Sequence, residues 1–404
     1  MSLKWKSCKI GDVVSVRRGA SPRPIKDYVS ETGMPWVKIA DATKDQTRFI
    51  NFTNEFIKEE GIEKSVVVNP GDLIVSNSAT PGLPKFMNIK ACVHDGWLVF
   101  DSYNGILKDF LYYYFIVIRG QLVNQANGSV FKNLKTDIVR NFDINLPDLE
   151  TQKKIVKILS QIDKKIEINI EINKNLEQLL HTIFNYWFIS FDKFKNAPFK
   201  ESPLGNIPEG WSCGALRDLL TLNKNPIKAD KTNGLFYLPI DIIPMNSLGI
   251  SELKSDEEAN SSLITFNKND ILIGAMRVYF HRVVISPCSG VTRSTCFVLK
   301  PKNEHHLSYL LLLCNLDRTI QYAQNTSKGT TMPYAVWDNG LGDMDIIIPP
   351  EDILSEFHEL VFPIIENIRD SYLEINKLSK LRDTLLPKLM SGEIDVSKIN
   401  CDLE

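Results

Sequence analysis

The chain has 404 residues, 43 % hydrophobic and 24 % charged, with 47 basic against 49 acidic side chains and a formal net charge of −2. That length and balance point to two or three ordinary globular domains and exclude global disorder, a low-complexity repeat and a uniformly basic nucleic-acid coat. Charge is uneven along the chain: residues 151–200 carry 9 basic and 5 acidic groups, residues 351–404 carry 6 and 12, so any polyanion must be met by locally placed cations.

The start is basic (Lys4, Lys6) without the apolar stretch of a secretory signal. The longest apolar runs, around Leu111–Ile118 and Tyr309–Cys314, fall far short of the roughly 20 residues a bilayer span requires. Seven cysteines (Cys8, Cys92, Cys213, Cys288, Cys296, Cys314, Cys401) are odd in number, widely spread and without a CxxC pair, which points to a reducing compartment. A cytoplasmic protein away from membranes is expected.

In chain order, the predicted elements run twice. Trp5-x-x-Cys8-x-Ile10-Gly11-Asp12 is echoed by Trp211-x-Cys213-x-x-Leu216-x-Asp218. Trp36-Val37-Lys38-Ile39-Ala40-Asp41 is echoed by Phe236-Tyr237-Leu238-Pro239-Ile240-Asp241, and Val68-Asn69-Pro70-Gly71-Asp72-Leu73 by Phe266-Asn267-Lys268-Asn269-Asp270-Ile271. Gly128-Ser129 pairs with Gly329-Thr330, and Asp143-Ile144-Asn145-Leu146-Pro147 with Asp345-Ile346-Ile347-Ile348-Pro349. Glu171-Ile172-Asn173-Lys174 recurs letter for letter as Glu374-Ile375-Asn376-Lys377. Six pairs in one order at offsets of 198–206 mark a duplication whose period exceeds any solenoid repeat. Each unit begins with short strand-like runs and polar turns: Ser65–Val68 and Asp72–Ser76 flank an Asn-Pro-Gly turn, and Leu263–Phe266 and Asp270–Gly274 repeat the shape.

After each Leu-Pro or Ile-Pro stop comes a long helix. In the first, Ile155, Leu159, Ile162 and Ile166 continue through Asn169 and Asn173 to Leu176, Leu180, Ile183 and Trp187, a heptad seam with two polar positions in its middle. The helix is expected over 149–190, about 60 Å at 1.5 Å per residue, and a helix that long and amphipathic needs a partner. The second unit supplies one, with Phe357, Val361, Ile364, Ile368, Ile375, Leu378, Leu381, Leu385 and Leu389 in the same rhythm. Pro363 and Pro387 are expected to bend or interrupt it. The order globular, helix, globular, helix makes an antiparallel helix pair, with the globular units related by an approximate two-fold axis, the expected architecture. Residues 191–210 are the best linker. Buried in the seam, Asn169 and Asn173 would cost stability but fix its register; the alternative is that they face solvent or a partner subunit.

Catalytic constellations are missing. There is no Walker A motif, no GxGxxG after a strand and no HExxH among the six histidines. Cys92-x-His94 lacks the company zinc needs, so burial of Cys92 is the expectation. Ile348-Pro349-Pro350-Glu351 has the wrong flanks for the Asp/Asn-Pro-Pro-aromatic element of a base-amino methyltransferase. Asp163-Lys164-Lys165, the nearest approach to a nuclease motif, falls on the expected polar side of the heptad helix. Two copies of a unit without a shared acid, base or nucleophile read as a binding and scaffolding protein.

Leu146-Pro147-Asp148-Leu149-Glu150-Thr151-Gln152 at the opening of the first helix, the tail from Leu378 through Leu386-Pro387-Lys388-Leu389-Met390-Ser391-Gly392-Glu393-Ile394, the opening Trp5 to Asp12 with its loop Gly19-Ala20-Ser21-Pro22-Arg23-Pro24, and Gly128-Ser129 resemble type I restriction-modification specificity subunits. The resemblance covers essentially the whole chain, and the tail is its most specific part. It implies an α+β fold: two duplicated mixed α/β target recognition domains (1–148 and 211–350), two conserved spacer helices (149–190 and 351–391) pairing as a coiled coil, a linker (191–210) and a C-terminal tail (392–404). It further implies a non-catalytic chain without cofactor or metal that binds a bipartite duplex DNA site. Two methyltransferase subunits performing S-adenosylmethionine-dependent adenine N6 methylation would dock on it, and two ATP-dependent restriction subunits can join them. A coiled-coil DNA-binding or structural protein without a methyltransferase partner is the competing reading, and a standalone modifying enzyme is a third.

On this reading DNA contacts are expected, in the first unit, from Arg17, Arg18, Ser21, Arg23, Lys38, Ser76, Asn77, Ser78, Lys85, Asn127 and Lys132. In the second they are expected from Asn223, Lys224, Lys228, Lys231, Arg277, Arg282, Arg293, Ser327, Lys328, Thr330 and Thr331. Arg can bond guanine bidentately, Asn can bond adenine, and loops rich in Gly and Ser can follow a backbone closely. Arg17-Arg18 and the cluster Arg277, Arg282 and Arg293 rank first by local basicity. The aromatic cluster Phe184, Tyr186, Trp187, Phe188, Phe191 and Phe194 either offers docking surface to the methyltransferase or seals the first helix against a globular unit.

Overall fold

The computed structural model describes residues 5–44, 47–127, 133–229, 232, 234–250, 252–259 and 263–397, with the backbone alone at 44, 126 and 127. The chain divides into two compact units, 1–167 with 378–404 and 168–377, so the cut falls inside each long helix.

The duplication is visible strand by strand. In the first unit one sheet runs, in spatial order, Ser15–Arg18, Trp97–Asp101, Leu73–Ser76, Pro84–Met87 and Phe49–Ile50. In the second unit Leu220–Leu222, Cys296–Pro301, Ile271–Gly274 and Val283–Ile285 follow the same order without the last strand. The other sheet of the first unit holds Val66–Val68, Ala91–Val93 and Met34–Val37 side by side; Leu263–Phe266, Gly290–Arg293 and Phe236–Tyr237 answer it. Even the parallel pairing recurs, Cys92 beside Trp36 and Gly290 beside Phe236. Lys6–Lys9 pairs with Asp143–Leu146, and Ser212–Ala215 with Asp345–Ile348.

The recurring letters are those that build turns. Asp72 caps the backbone N–H of Asn69 at 2.8 Å, and Asp270 caps that of Asn267 at 2.7 Å. The residue before each aspartate is left-handed, Gly71 at φ +88° and Asn269 at φ +71°, and Asn is the side chain that replaces Gly there most cheaply. Asp12 accepts from the Lys9 N–H at 2.9 Å and Asp218 from the Ala215 N–H at 2.7 Å, which opens a one-turn helix in each unit. The strands on either side of the Asn69 and Asn267 turns do not pair with each other; each turn passes the chain from one sheet to the next. Leu73–Ser76 and Ile271–Gly274 are buried at every position, so they show no alternation.

The first long helix spans Leu149–Phe184 and ends in a π-helical turn over Asn185–Ile189. The second, Glu351–Ser391, runs without interruption through Pro363 and Pro387, contrary to expectation. Both prolines are exposed, so the carbonyls they leave unpaired can bond water while the buried side holds the helix together. Pairing is antiparallel within each unit. In the first, Lys154 reaches the Ser397 carbonyl at 2.8 Å and Asp163 meets Arg382 at 3.0 Å. In the second, Asn169 donates to Glu374 at 2.8 Å, and the Phe184 and Phe357 rings lie 6.1 Å apart.

The seam departs from the heptad reading in two places. Leu381 is 47 % exposed, and Arg382 occupies the inward position beside it. Asp163, read as part of a polar face, is 3 % exposed and bonds Tyr113 Oη at 2.6 Å. The cause is a charge network: Arg48 pairs with Glu167 through two bonds of 2.8 and 3.0 Å and stands 3.8 Å from Asp163, which Arg382 also holds. Of the other nominated seam positions, Ile155, Leu159, Ile166, Asn169, Asn173, Leu180, Ile368 and Ile375 are buried, and Ile162, Leu176, Ile183, Ile364, Leu378 and Leu385 are half-buried. The linker residues carry structure of their own, although most are exposed. Phe199–Ser202 and Gly205–Pro208 form a hairpin with Ile207 buried beneath it. Phe184, Trp187 and Phe188 are core, and Phe191 and Phe194 pack on Trp211, so sealing wins over docking and only Tyr186 stands exposed.

Candidate nucleic-acid interface

In the first unit two of the expected cations, Arg18 and Arg23, meet on one turn. The backbone of His94–Gly96 is tied down from both sides: Asn77 N–H donates to the Gly96 carbonyl at 2.8 Å and Gly19 N–H to the Trp97 carbonyl at 2.8 Å. A Cβ on Gly19 would stand 2.2 Å from the His94 carbonyl oxygen, so only glycine lets the strand end pass this close. The turn presents Asp95. Ser21 Oγ donates to its Oδ1 at 2.9 Å, Arg23 reaches Oδ2 at 3.4 Å, and Arg18 bonds its carbonyl at 2.7 Å through Nε with a guanidinium nitrogen 3.6 Å from Oδ2. Burial alone would raise the Asp95 carboxyl, but the Ser21 bond and the charges of Arg18, His94 and Arg23 outweigh it and hold it below the ordinary carboxylate range. Burial pushes the neighbouring His94 imidazole down. Arg17 pairs with Asp101 at 3.0 Å, and Lys38 with Glu55.

Three nominations turn inward. Ser76, Asn77 and Lys85 are buried. Ser76 Oγ bonds the Thr80 carbonyl, Asn77 Nδ2 donates to the Asp95 carbonyl at 2.9 Å, and Lys85 Nζ bonds the Thr47 carbonyl. Each closes a turn or bridges strands, as buried polar groups must. Ser78 is half-buried. Lys132 and the side chain of Asn127 lie outside the described residues, as does Gly128-Ser129.

In the second unit the exposed feature is a pair of adjoining loops. Arg277 and His281 flank the turn Val278–Phe280, both left-handed at φ +50°. Such residues cost roughly 1–3 kcal/mol each and persist only where the surroundings fix them. Here the Arg277 N–H donates to the Pro333 carbonyl at 2.8 Å and His281 Nε2 bonds the Asn315 carbonyl at 2.9 Å. Ala79, 198 residues before Arg277, is left-handed too at φ +56°, so both units keep the strain at one place. The partner loop is a hairpin closed by Lys328 and Tyr334, turning at Gly329 (φ +87°) and exposing Lys328, Thr330 and Thr331. Tyr279, Met332 and Tyr334 are also exposed, a polar-rimmed apolar cluster that a search for cations passes over.

Other nominations in this unit serve the fold. Asn223 Nδ2 donates to the Thr265 carbonyl at 2.7 Å, and Ser327 Oγ to the Ala323 carbonyl at 2.7 Å at the end of the helix Asp317–Asn325. Arg282 bonds the Ile240 carbonyl and lies over the Phe280 ring at 5.3 Å. Arg293 is half-buried at the end of a core strand. Lys224 pairs with Asp338 at 3.2 Å, and Lys228 is exposed. Lys231 lies outside the described residues. Cys92 is buried, and no group of three potential metal ligands occurs among the described residues. No described helix is long and apolar enough to cross a membrane.

Residues 2–178 and 208–369 match the family described as the type I restriction modification DNA specificity domain. The chain is similar to the type I restriction enzyme MjaIX specificity subunit of Methanocaldococcus jannaschii, 29 % identical over 98 % of this chain and 94 % of the relative. It is 21 % identical to the HindI specificity subunit of Haemophilus influenzae, over 96 % of this chain and 99 % of that one. Among solved structures, the S subunit of a type I restriction-modification system from M. genitalium superimposes with a TM-score of 0.60 at 14 % identity, covering 96 % of each chain.

Proposed function

The chain belongs to the type I restriction-modification DNA specificity family as a DNA-recognition subunit, and on that premise we propose that each unit reads one half of a split duplex site while a separate modification subunit transfers the methyl group. The observation that carries this reading is that two units of one strand order share their turn-building residues and differ in their exposed loops. The Asp95 turn, between Ala91–Val93 and Trp97–Asp101, is answered between Gly290–Arg293 and Cys296–Pro301 by Ser294-Thr295, which carries no carboxylate. Two copies of one scaffold with different reading loops suit two unlike half-sites, with phosphate contacts positioning each unit and base edges specifying sequence. The long helices then determine how many base pairs between the halves go unread.

A partner is needed for chemistry, and part of the first long helix suits its docking. Ile168, Ile172 and Leu179 are exposed at heptad spacing, with Tyr186 one heptad further on. An apolar stripe on a charged helix favours a protein neighbour, here the adenine methyltransferase subunit; ATP-dependent restriction subunits would join through that complex. Reconstitution tests this. The chain alone should transfer no methyl group from S-adenosylmethionine to duplex DNA, and the chain with the modification subunit should methylate one bipartite sequence. Methylation of the same sequence by the modification subunit without this chain would contradict it.

A further inference from the structure

The turn carrying Asp95 is an acidic group placed at the centre of a surface whose task, on the reading above, is to bind a polyanion. A carboxylate there repels phosphate, and it is not buried: its side chain is 39 % exposed, beside Arg18 at 54 % and Arg23 at 78 %. Its contacts are divided in a specific way. Arg18 spends its Nε on the Asp95 backbone carbonyl at 2.7 Å, and its guanidinium sits 3.6 Å from Oδ2, a distance that attracts without a hydrogen bond. Ser21 holds the other carboxylate oxygen at 2.9 Å, and Asn77 fixes the same backbone carbonyl at 2.9 Å from the far side. The platform beneath is rigid, since Gly96 N–H donates to His94 Nδ1 at 2.8 Å and the His94 ring lies 6.0 Å from Trp36 and 6.5 Å from Trp97.

An arginine tied through Nε keeps its outer edge, the two terminal nitrogens, for a ligand. That edge matches the O6 and N7 acceptors of guanine in the major groove. Holding it in place beforehand removes part of the side-chain entropy that a free arginine loses on contact. The carboxylate meanwhile offsets the charge that would otherwise draw the arginine to any phosphate, so attraction independent of sequence falls while a correctly placed guanine still satisfies the fork.

We propose that Asp95 is a positioning residue for specificity: it holds Arg18 for bidentate contact with one guanine in the half-site read by the first unit and suppresses binding elsewhere. Arg23, which among the described residues bonds the carboxylate alone and is mostly exposed, serves a phosphate. The inference rests on the DNA-reading function, and the experiment separates the two. The full chain selects duplexes from a pool with randomised base pairs, and the bound fraction is sequenced for wild type, Asp95→Asn, Arg18→Lys and Arg23→Ala. Wild type should enrich a split sequence with a guanine at a fixed place in one half. Asp95→Asn keeps the carbonyl that holds Arg18 Nε and removes the carboxylate's attraction at 3.6 Å, so it should lose about two- to fivefold of the contrast at that guanine. Its affinity for the unselected pool should rise, with a steeper dependence on salt. Arg18→Lys, which loses the Nε bond to the Asp95 carbonyl but keeps the charge and the Ser21 and Asn77 bonds to the turn, should relax the same position, whatever happens to the stability of Asp95→Asn. Arg23→Ala should weaken all sequences alike.

If wild type enriches a split sequence and Asp95→Asn keeps its full contrast, the positioning role is wrong and the DNA reading stands. Equal relaxation across the whole half, or relaxation at a base pair other than the one Arg18→Lys relaxes, also overturns it. A wild type that enriches no sequence sinks both.

Discussion

Gln152 carries three hydrogen bonds in a fully buried place: Nε2 donates to the Gly105 and Pro147 carbonyls at 2.9 Å each, and Oε1 accepts from the Leu107 N–H at 2.8 Å. Gln152→Ala strands all of these groups, so it should destabilise the first unit by about 1–3 kcal/mol, read as a lower urea midpoint. Glu177 is a half-buried polar group. Burial raises its carboxyl above the ordinary range despite bonds at 2.9 Å from the Leu248 N–H and Ser247 Oγ. The folded chain therefore holds that proton more tightly than the unfolded chain, and stability must fall as pH rises from the usual glutamate range through the raised pKa. Melting temperatures across that range should decline more steeply for wild type than for Glu177→Gln, and parallel curves would remove the assignment. The glutamine at the helix opening was legible as a motif residue, but its role as a clamp depends on a loop 47 positions earlier in the chain. The inward turn of Ser76, Asn77 and Lys85 was not legible, because a strand buried on both faces gives no alternation to tell inside from outside. Asp95 escaped notice for a simpler reason: a search for DNA contacts by charge passes over carboxylates.

Both long helices were legible from their spacing, and so was their antiparallel pairing from the order of the repeat. Their inward faces were less so. Heptad counting carried the seam through Leu381, whereas the structure turns Arg382 inward to meet Asp163, and no periodicity rule anticipates an ion pair whose third member, Tyr113, lies on another helix. Arg382→Ala leaves Asp163 buried with Tyr113 as its remaining strong partner. It should cost about 3 kcal/mol, the lower end for breaking a buried pair because Arg382 is itself partly exposed. Asn173 behaves oppositely. It is fully buried, and neither amide atom has a hydrogen-bond partner among the described residues. Asn173→Leu should therefore stabilise the second unit by about 1–2 kcal/mol. Asn169 differs in having Glu374 as a partner, so if polar seam residues fix register, replacing both with Leu should raise the melting temperature and broaden the spacer length that the methylating complex accepts. A stabilised double variant with one spacer length would assign register to the Asp163 network instead.

At the scale of the molecule, the letters that survive duplication are those that make the fold. Asp12 and Asp218, and Asp72 and Asp270, each hold a turn in both units, and Gly71 and Asn269 share a left-handed backbone though not a letter. The exposed loops have diverged around the left-handed positions Ala79 and Arg277, which both units retain. This is why the sequence revealed family and architecture far better than it revealed contact residues: repetition marks scaffold, and reading surfaces of unlike half-sites need not repeat. Substitutions at Arg18 should accordingly alter one half of the recognised sequence, and substitutions at Tyr334 or Lys328 the other, with the spacer unchanged in both. The division of labour is tested most directly by mapping N6-methyladenine across the host genome by single-molecule sequencing, with and without this gene. Loss of methylation from one bipartite motif, both halves together, is the predicted result. An unchanged methylome in a host that expresses the modification subunit would contradict it.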